Sequence, residues 1–357
     1  LFTIAGNPVV STPAAGRLDK ALRGLDLMVS LDIYVNETSR HADVILPAPS
    51  ALQRSHYDIA FYQLSVRNIA NYSPPVLEPD PDQLDEWRSL LRLAAIAAGQ
   101  GPDADLEAWD DLVAATLIHG ELANEASPLA GRTYEELAAE LEPRRGPQRV
   151  LDFMLRAGPH GDRFGAEPDG LNLARLEQSG HGVDLGPLTS RIPEMLRTQS
   201  GRIELAPEPV VEDVPRLLEA LDRSDKGAMV LVGRRQLRSN NSWLHNVEHL
   251  VRGGNVCTML INPHDAARLD LSEGDRALVS SAAGSLSVPV EVTDEIMPGV
   301  VSIPHGWGHD MPGVELSVAS TKPGVNSNLL TDENMIDPLS GNAMLNGIPV
   351  TIAAVAG

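Results

Sequence analysis

The chain has 357 residues, enough for two or three domains with real cores at roughly 100–200 residues each. Its 28 Lys and Arg stand against 49 Asp and Glu, a formal charge of −21 that argues against nucleic acid or an anionic membrane as general partners. Hydrophobic content of 43% excludes wholesale disorder. The lone Cys257 excludes an internal disulfide and by itself holds neither an iron–sulfur cluster nor a structural zinc. No run of about 18 apolar residues is long enough to span a bilayer, and no basic start leads into an apolar stretch. A cytoplasmic location is expected.

Leu1–Ala5 reads as a buried strand running into Gly6-Asn7-Pro8. A chain that opens inside a strand reads as a fragment of something longer, with a processed start as the alternative. Thr12-Pro13 predicts a helix start, Asp26–Leu31 and Asp43–Leu46 predict strands, and a short helix lies between them. This rhythm is that of a parallel sheet with crossover helices, which binds ligands at its strands' carboxyl ends. Gly6-Asn7-Pro8, Asp32–Thr38 and Pro47–Ser50 are those ends.

Helical spacing begins at Leu84, with Gly99 closing the first helix, and continues in Asp105–His119 and Thr133–Leu141. Thr133 and Glu136 form a capping-box pattern. The many acids between Glu78 and Asp111 fit a solvated helical surface better than a metal site. Residues 143–200, rich in Gly, Pro and Arg, predict long loops with short helices. Gly201–Ala206 predicts a strand and Val211–Leu221 a helix. Beyond residue 225 come strand-length runs at Ala228–Val232, Val256–Ile261, Arg276–Ser280, Leu286–Val292 and Gly299–Ile303, with a helix Pro263–Leu269 capped by Asn262. Short strands at this density predict a closed barrel.

Four stretches are candidates for chemistry. Gly233–His245 (GRRQLRSNNSWLH) follows a strand and concentrates Arg234, Arg235, Ser239, Asn240, Asn241 and His245 in one turn-rich segment. Arginine forks match phosphate oxygens two at a time, and Asn and Ser donors complete such a cradle; a solvated loop paired to the acidic helices is the alternative. His245-Asn-Val-Glu248-His249 is the inverted zinc-protease pattern, with two imidazoles and Glu248 as a general base; His305 and His309 lie too near glycines to mark a third ligand on a helix. Asn326 and Asn328 on a Gly-led loop suit a heterocycle edge or a turn. In Asn36–Asp43, Glu37 suits a guanine amino group or a helix cap. Cys257, in an apolar run, reads as core. No G-x-G-x-x-G or G-x-x-x-x-G-K-[ST] occurs, and Ser55-His56 has no placed acid.

Together the segments resemble the C-terminal half of a molybdopterin-dependent oxidoreductase of the dimethyl sulfoxide reductase family, which includes formate dehydrogenases and nitrate reductases. The likeness runs through Gly6-Asn7-Pro8, Asp32-x-x-x-Asn36-Glu37-Thr38 and Ala42–Pro47. It continues through Gly233-Arg234 with His245, Asn262-Pro263-x-Asp265-Ala266, Leu271-x-x-Gly274-Asp275, Pro298–Val301 and Asn326-x-Asn328-x-Leu330-Thr331. It covers residues 1–98 and 226–357 well and the middle weakly. Where the family often continues its Leu-Pro with Glu and Gly, this chain reads Ala51–His56.

The resemblance implies an α/β fold. Residues 1–225 would be part of a doubly wound α/β/α domain with a helical insertion at about 99–200, and 226–357 a double-psi-type β-barrel binding the dinucleotide. It implies molybdenum or tungsten between pterin guanine dinucleotides, two-electron redox of a small substrate, and an electron-transfer partner protein. Arg234, Arg235, Ser239, Asn240, Asn241, His245, Asn326 and Asn328 are the implied cofactor contacts, with Asn7, Asp32, Glu37 and Thr38 at the guanine end. The family's cysteine cluster for a 4Fe-4S centre and its metal ligand would lie in an N-terminal half not included here, so this chain alone is expected to be inactive. The rival readings are a zinc hydrolase using His245, Glu248 and His249, and a metal-free accessory protein of the same fold.

Overall fold

The structure is a computed structural model that describes residues 1–357 apart from 79, 81, 82, 223–228, 255, 356 and 357. Its contacts form two units, one of residues 1–47 with 198–357 and the other of residues 48–197. The expected division at 225/226 falls outside the described residues.

The first unit opens with three parallel strands in the order β1 (Phe2–Ile4), β2 (Val29–Asp32), β3 (Val44–Pro47). β2 is central and buried along its whole length, as its apolar run predicts. Between β1 and β2 the chain makes α1 (Pro8–Ser11) and α2 (Ala15–Leu22). The expected start at Thr12-Pro13 is therefore corrected. Pro8 takes the first helical position, and Thr12 ends that turn, its N–H and its hydroxyl both donating to the Pro8 carbonyl. Pro13 sits in the break between the helices, where its missing N–H leaves no helical bond unmade.

The second unit holds two small antiparallel pairs, β4 (His56–Tyr57) with β6 (Tyr72–Ser73), and β5 (Arg67–Ala70) with β7 (Val183–Pro187). Its helices α3 (Glu86–Ala97), α4 (Leu106–Leu122) and α5 (Tyr134–Glu140) stand where helical spacing predicts them. Asp105 caps α4, and Thr133 and Glu136 close the capping box on α5. The expectation of long loops with short helices over residues 143–200 holds for α7 (Leu173–Glu177) and for most of 158–172 and 188–200, but it misses the 12-residue α6 (Gly146–Ala157) and the strand β7. The buried face of α6 carries Arg149, Asp152 and Arg156 beside Phe153 and Leu155. Arg149 pairs with Asp110 and Asp111, and Arg156 with Glu140 and Asp162, so these charges are buried as partners.

Returning to the first unit, Gly201–Ala206 is irregular and not a strand, with Ile203 and Leu205 exposed and no neighbouring ladder to bury them. The expected single helix over 211–221 is two, α8 (Glu208–Glu212) and α9 (Val214–Asp222). Pro215 cannot donate the bond that would continue the first into the second.

Among the described residues six strands then close a barrel: β8 (Met229–Arg234), β9 (Met259–Ile261), β10 (Arg276–Ser280), β11 (Ser285–Val292), β12 (Val300–Pro304) and β13 (Ile348–Ala354), in the order β10-β11-β9-β12-β8-β13. The last strand is absent from the sequence expectation; in Ile348-Pro-Val-Thr-Ile-Ala-Ala only Val350 and Ile352 turn fully inward. Helix α10 (Pro263–Arg268) follows its cap Asn262, whose side chain accepts from the His264 N–H. Alternate residues of β10 and β11 fill the barrel with Ala277, Val279, Leu286, Val288 and Val290, joined by Leu231, Met259, Ile261, Val301 and Ile303. β8 and β12 are parallel neighbours with Arg234 opposite Pro304, so the loops after both leave from one end of the barrel.

Ile303 is 0% exposed in this core, whereas Leu278 on the outer face of β10 is 40% exposed. Ile303→Ala is expected to cost about 2–5 kcal/mol and Leu278→Ala under about 1 kcal/mol, read as shifts in urea unfolding midpoint.

Candidate functional site

After β8 the chain turns sharply, with Asn240 and Asn241 in left-handed backbone at φ 42° and 61°. Asn tolerates that region because its short polar side chain bonds locally, and Asn241 Oδ1 accepts from Arg235. A short 3₁₀ turn, Trp243–Asn246, follows and carries His245 inward. Asn246 secures the turn by accepting from the N–H groups of Val318 and Ala319.

After β12 comes His305-Gly-Trp-Gly-His309. Gly306 lies at φ +88° with its ideal Cβ position 2.4 Å from the Asn241 carbonyl oxygen, so no side chain fits there. Gly308, at φ +117°, would put a Cβ 2.8 Å from the Cβ of Asn326. These two glycines let Trp307 stack on His245, with ring centroids 3.8 Å apart, and turn His309 into the interior.

Arg234 sits half-buried, its guanidinium donating to the backbone carbonyls of Thr258 (3.0 Å) and Ser302 (3.3 Å). Burial lowers its pKa, opposed by the charge of Glu291. Arg234, Arg235, Asn241 and Asn328 share a cleft of about 350 Å³ with Gly233, His305, Ser11 and Ser327. Burial and the charge of Arg235 push His305 below the usual histidine range. Among the described residues the lining contains two arginines and no Asp or Glu, in a chain of charge −21. It is built to hold an anion.

Other predicted residues go elsewhere. Ser239, which donates to the Gln236 carbonyl, and His245 line a second cavity of about 320 Å³. Asn326 and Asn328 donate to the carbonyls of Val9 and Val10, clamping α1 to the barrel loop. Asn7, Glu37 and Thr38 form a buried knot at the carboxyl end of the parallel strands. Asn7 Nδ2 donates to Glu37 Oε2 (2.6 Å), and Thr38 Oγ1 donates to Asn7 Oδ1 (2.8 Å) while accepting from the Val9 N–H. Asp32 accepts from Asn36, and its pKa rises because burial outweighs that bond. Glu37 is 0% exposed, so its carboxylate neither faces solvent nor caps a helix.

Sequence reasoning missed the role of His309, whose Nδ1 lies 2.8 Å from Glu37 Oε1 and whose Nε2 lies 2.8 Å from His245 Nδ1. The signal was the H-G-W-G-H pattern, read only as a poor helical zinc ligand. Burial raises the Glu37 pKa, but the hydrogen bond and charge of His309 and the bond from Asn7 outweigh it, and the net direction is down. Burial, then the His309 charge, pushes His245 down to about 3.

The zinc reading is corrected. His245 lies in a 3₁₀ turn that ends at Asn246, so His249 is not one α-helical turn away on the same face. His245 is instead bonded to His309. Among the described residues no three His, Cys, Asp or Glu side chains group as a metal site. Cys257 is buried, and burial raises its thiol to about 11, the character of a core residue.

Residues 229–349 match the family described as "Molydopterin dinucleotide binding domain". The chain is 23% identical over 320 residues to the F420-dependent formate dehydrogenase subunit alpha of Methanocaldococcus jannaschii, covering 89% of this chain and 40% of that protein. It is 25% identical over 317 residues to the dimethyl sulfoxide/trimethylamine N-oxide reductase of Cereibacter sphaeroides, covering 87% and 36%. Over 53 residues it is 49% identical to the assimilatory nitrate reductase catalytic subunit of Bacillus subtilis, 15% of this chain and 8% of that one. The chain is thus similar to molybdopterin oxidoreductases of the group that includes dimethyl sulfoxide reductase, formate dehydrogenase and nitrate reductase.

It spans well under half the length of the two long-matching relatives. A similar fold is seen in acetylene hydratase from Pelobacter acetylenicus, with a TM-score of 0.63 and 18% identity over 99% of this chain and 44% of that one. Among the described residues no helix is long and apolar enough to cross a membrane.

Two outcomes follow from this geometry. Asn328→Ala strips the Val10 carbonyl of its donor in a buried setting, costing about 1–3 kcal/mol, with faster amide exchange over residues 8–22 as the readout. The depressed Glu37 pKa means its stabilisation is complete above the ordinary glutamate range and lost as pH falls through the folded value. Acid unfolding curves of the wild type and Glu37→Gln are therefore expected to converge at low pH.

Proposed function

We propose that the chain is the C-terminal portion of a molybdenum or tungsten oxidoreductase. It would bind pterin guanine dinucleotide and close the active site over it for two-electron redox of a small substrate. The observation that carries the reading is the cleft at the end of β8 and β12, with two arginines and no carboxylate in its lining. The donor set fits a pyrophosphate: Arg234 and Arg235 bring charge, and Asn241, Ser327 and Asn328 are polar neighbours. At about 350 Å³ the cleft suits part of a dinucleotide, not the whole.

The metal–pterin group, when bound, supplies the electron-accepting chemistry. The chain's own residues hold its anionic bridge, exclude water behind Leu231 and Ile303, and present His245 and Trp307 beside it. Within this reading, residues 1–225 complete a doubly wound domain and 226–357 form a double-psi-type barrel. Ser239, Asn240, Asn326 and the Asn7, Asp32, Glu37 and Thr38 group act at the rim and the guanine end, the buried ones by shaping backbone. The family metal ligand, a 4Fe-4S centre, the electron partner and the substrate funnel belong to other parts of the full-length protein. The acid-free cleft also favours this reading over a metal-free accessory protein, in which nothing would select against carboxylates there.

The test is Arg235→Ala in the full-length protein, because the hydrogen bond Arg235 makes among the described residues is to Asn241, in a loop outside the barrel. Molybdenum, tungsten and pterin per chain are expected to fall about tenfold, the effect of roughly 1.4 kcal/mol of lost binding. Unchanged loading would falsify the cradle.

A further inference from the structure

The second unit holds a cleft of about 590 Å³ that the proposed function leaves without a task, and all its lining residues belong to that unit. Its floor is apolar: Leu155 and Leu171 are buried, with Leu151 and Leu185 packed against the same cluster. Tyr57 and Tyr62, whose rings meet edge to face at 5.2 Å, also line it. One wall comes from the loop that carries Gly158, Pro159, His160 and Leu171. That loop is held to a single path. An ideal Cβ on Gly161 would lie 2.1 Å from the Arg156 carbonyl oxygen, and one on Gly170 would lie 2.4 Å from the Asp162 backbone. Asp162 bonds Arg156 Nε, the Phe164 N–H and Asn172 Nδ2, each within about 3.0 Å. The wall is therefore formed before any ligand arrives.

The polar groups of this cleft are unspent. Among the described residues, the side chains of Arg191, His160 and Thr189 and the Tyr57 hydroxyl make no hydrogen bond or ion pair. Arg191 is the exception in its unit. Every other arginine between 48 and 197 is ion-paired or hydrogen-bonded, down to Arg92 and Arg197 on backbone carbonyls. A free guanidinium is unexpected in a chain with 49 acids against 28 Lys and Arg. Asp58, the acid in the lining, is turned to its own loop, where Oδ1 accepts from the N–H groups of Ala60 and Phe61. Burial, then the neighbouring Tyr62, raises the Tyr57 pKa, so its hydroxyl keeps its proton at neutral pH and remains a donor.

We propose that this cleft binds a small carboxylate with an apolar body, the body on the leucine floor and the carboxylate on the Arg191 guanidinium. The planar fork of Arg191 donates two parallel N–H bonds to one carboxylate. A single free cation matches one negative charge, which selects a carboxylate over a phosphate monoester. An apolar floor with a few polar groups at the rim is the usual build of a small-molecule site, and about 590 Å³ is within the usual range.

Ligand-observed NMR titration of the full-length protein with octanoate, 1-octanol and octylamine tests this, because the three share one apolar body and differ in head group. Octanoate is expected to bind saturably and about tenfold more tightly than octanol, with octylamine weakest. Arg191→Gln is expected to weaken octanoate about tenfold and to leave octanol unchanged. Met154→Trp places a large ring in the cleft from a half-exposed position on α6 and is expected to abolish binding of both. Equal affinity for octanoate and octanol, or octanoate binding untouched by either substitution, overturns the proposal. So does the absence of saturable binding, the result if other parts of the full-length protein fill the cleft. None of these results bears on the pyrophosphate cradle, whose lining lies wholly in the first unit.

Discussion

A carboxylate with no access to water organises the first unit. Glu37 leaves the carboxyl end of a parallel strand and is met by Asn7 from the neighbouring strand's end and by His309 from the barrel. Burying a charge is costly unless each lone pair finds a donor, so the three segments are held to one arrangement. Thr38, Asn326 and Asn328 extend the same logic to the first helical turn, anchoring its backbone at Val9 and Val10. The parallel sheet and the barrel are joined by hydrogen bonds that only these side chains at these positions can make.

This constraint explains why the cleft and the neighbouring cavity differ. The cleft between the ends of β8 and β12 is lined by arginine, asparagine and serine close to solvent. Its chemistry is that of holding an anion. The second cavity is lined by the His245 ring, whose Nδ1 is bonded to His309. Both spaces are built by the loops that leave β8 and β12, which turn on Gly306 and Gly308. In the proposed function that anion is a pyrophosphate between two heterocycles.

Much of this was legible in the residues. Strand-length apolar runs marked five of the six barrel strands, and capping residues Asp105, Thr133 and Asn262 marked their helices. A cluster of arginines in an acidic chain marked the cleft. The failures share a cause. On α6, Arg149, Asp152 and Arg156, buried as ion pairs, made the segment read as loop although its apolar residues keep a helical face. Ile203 and Leu205 alternate like a strand but find no partner strand, so the apolar pattern alone does not make one.

Local chemistry thus determined most of the elements and the residue types that line the cleft, because propensity, capping and charge are written within a few positions of one another. Which asparagines face a cleft and which clamp a backbone was decided only by the fold. So was the pairing of Glu37 with His309, 272 residues apart. A hydrogen bond across such a distance depends on two loops arriving at one place, and nothing in either loop's own sequence specifies the other.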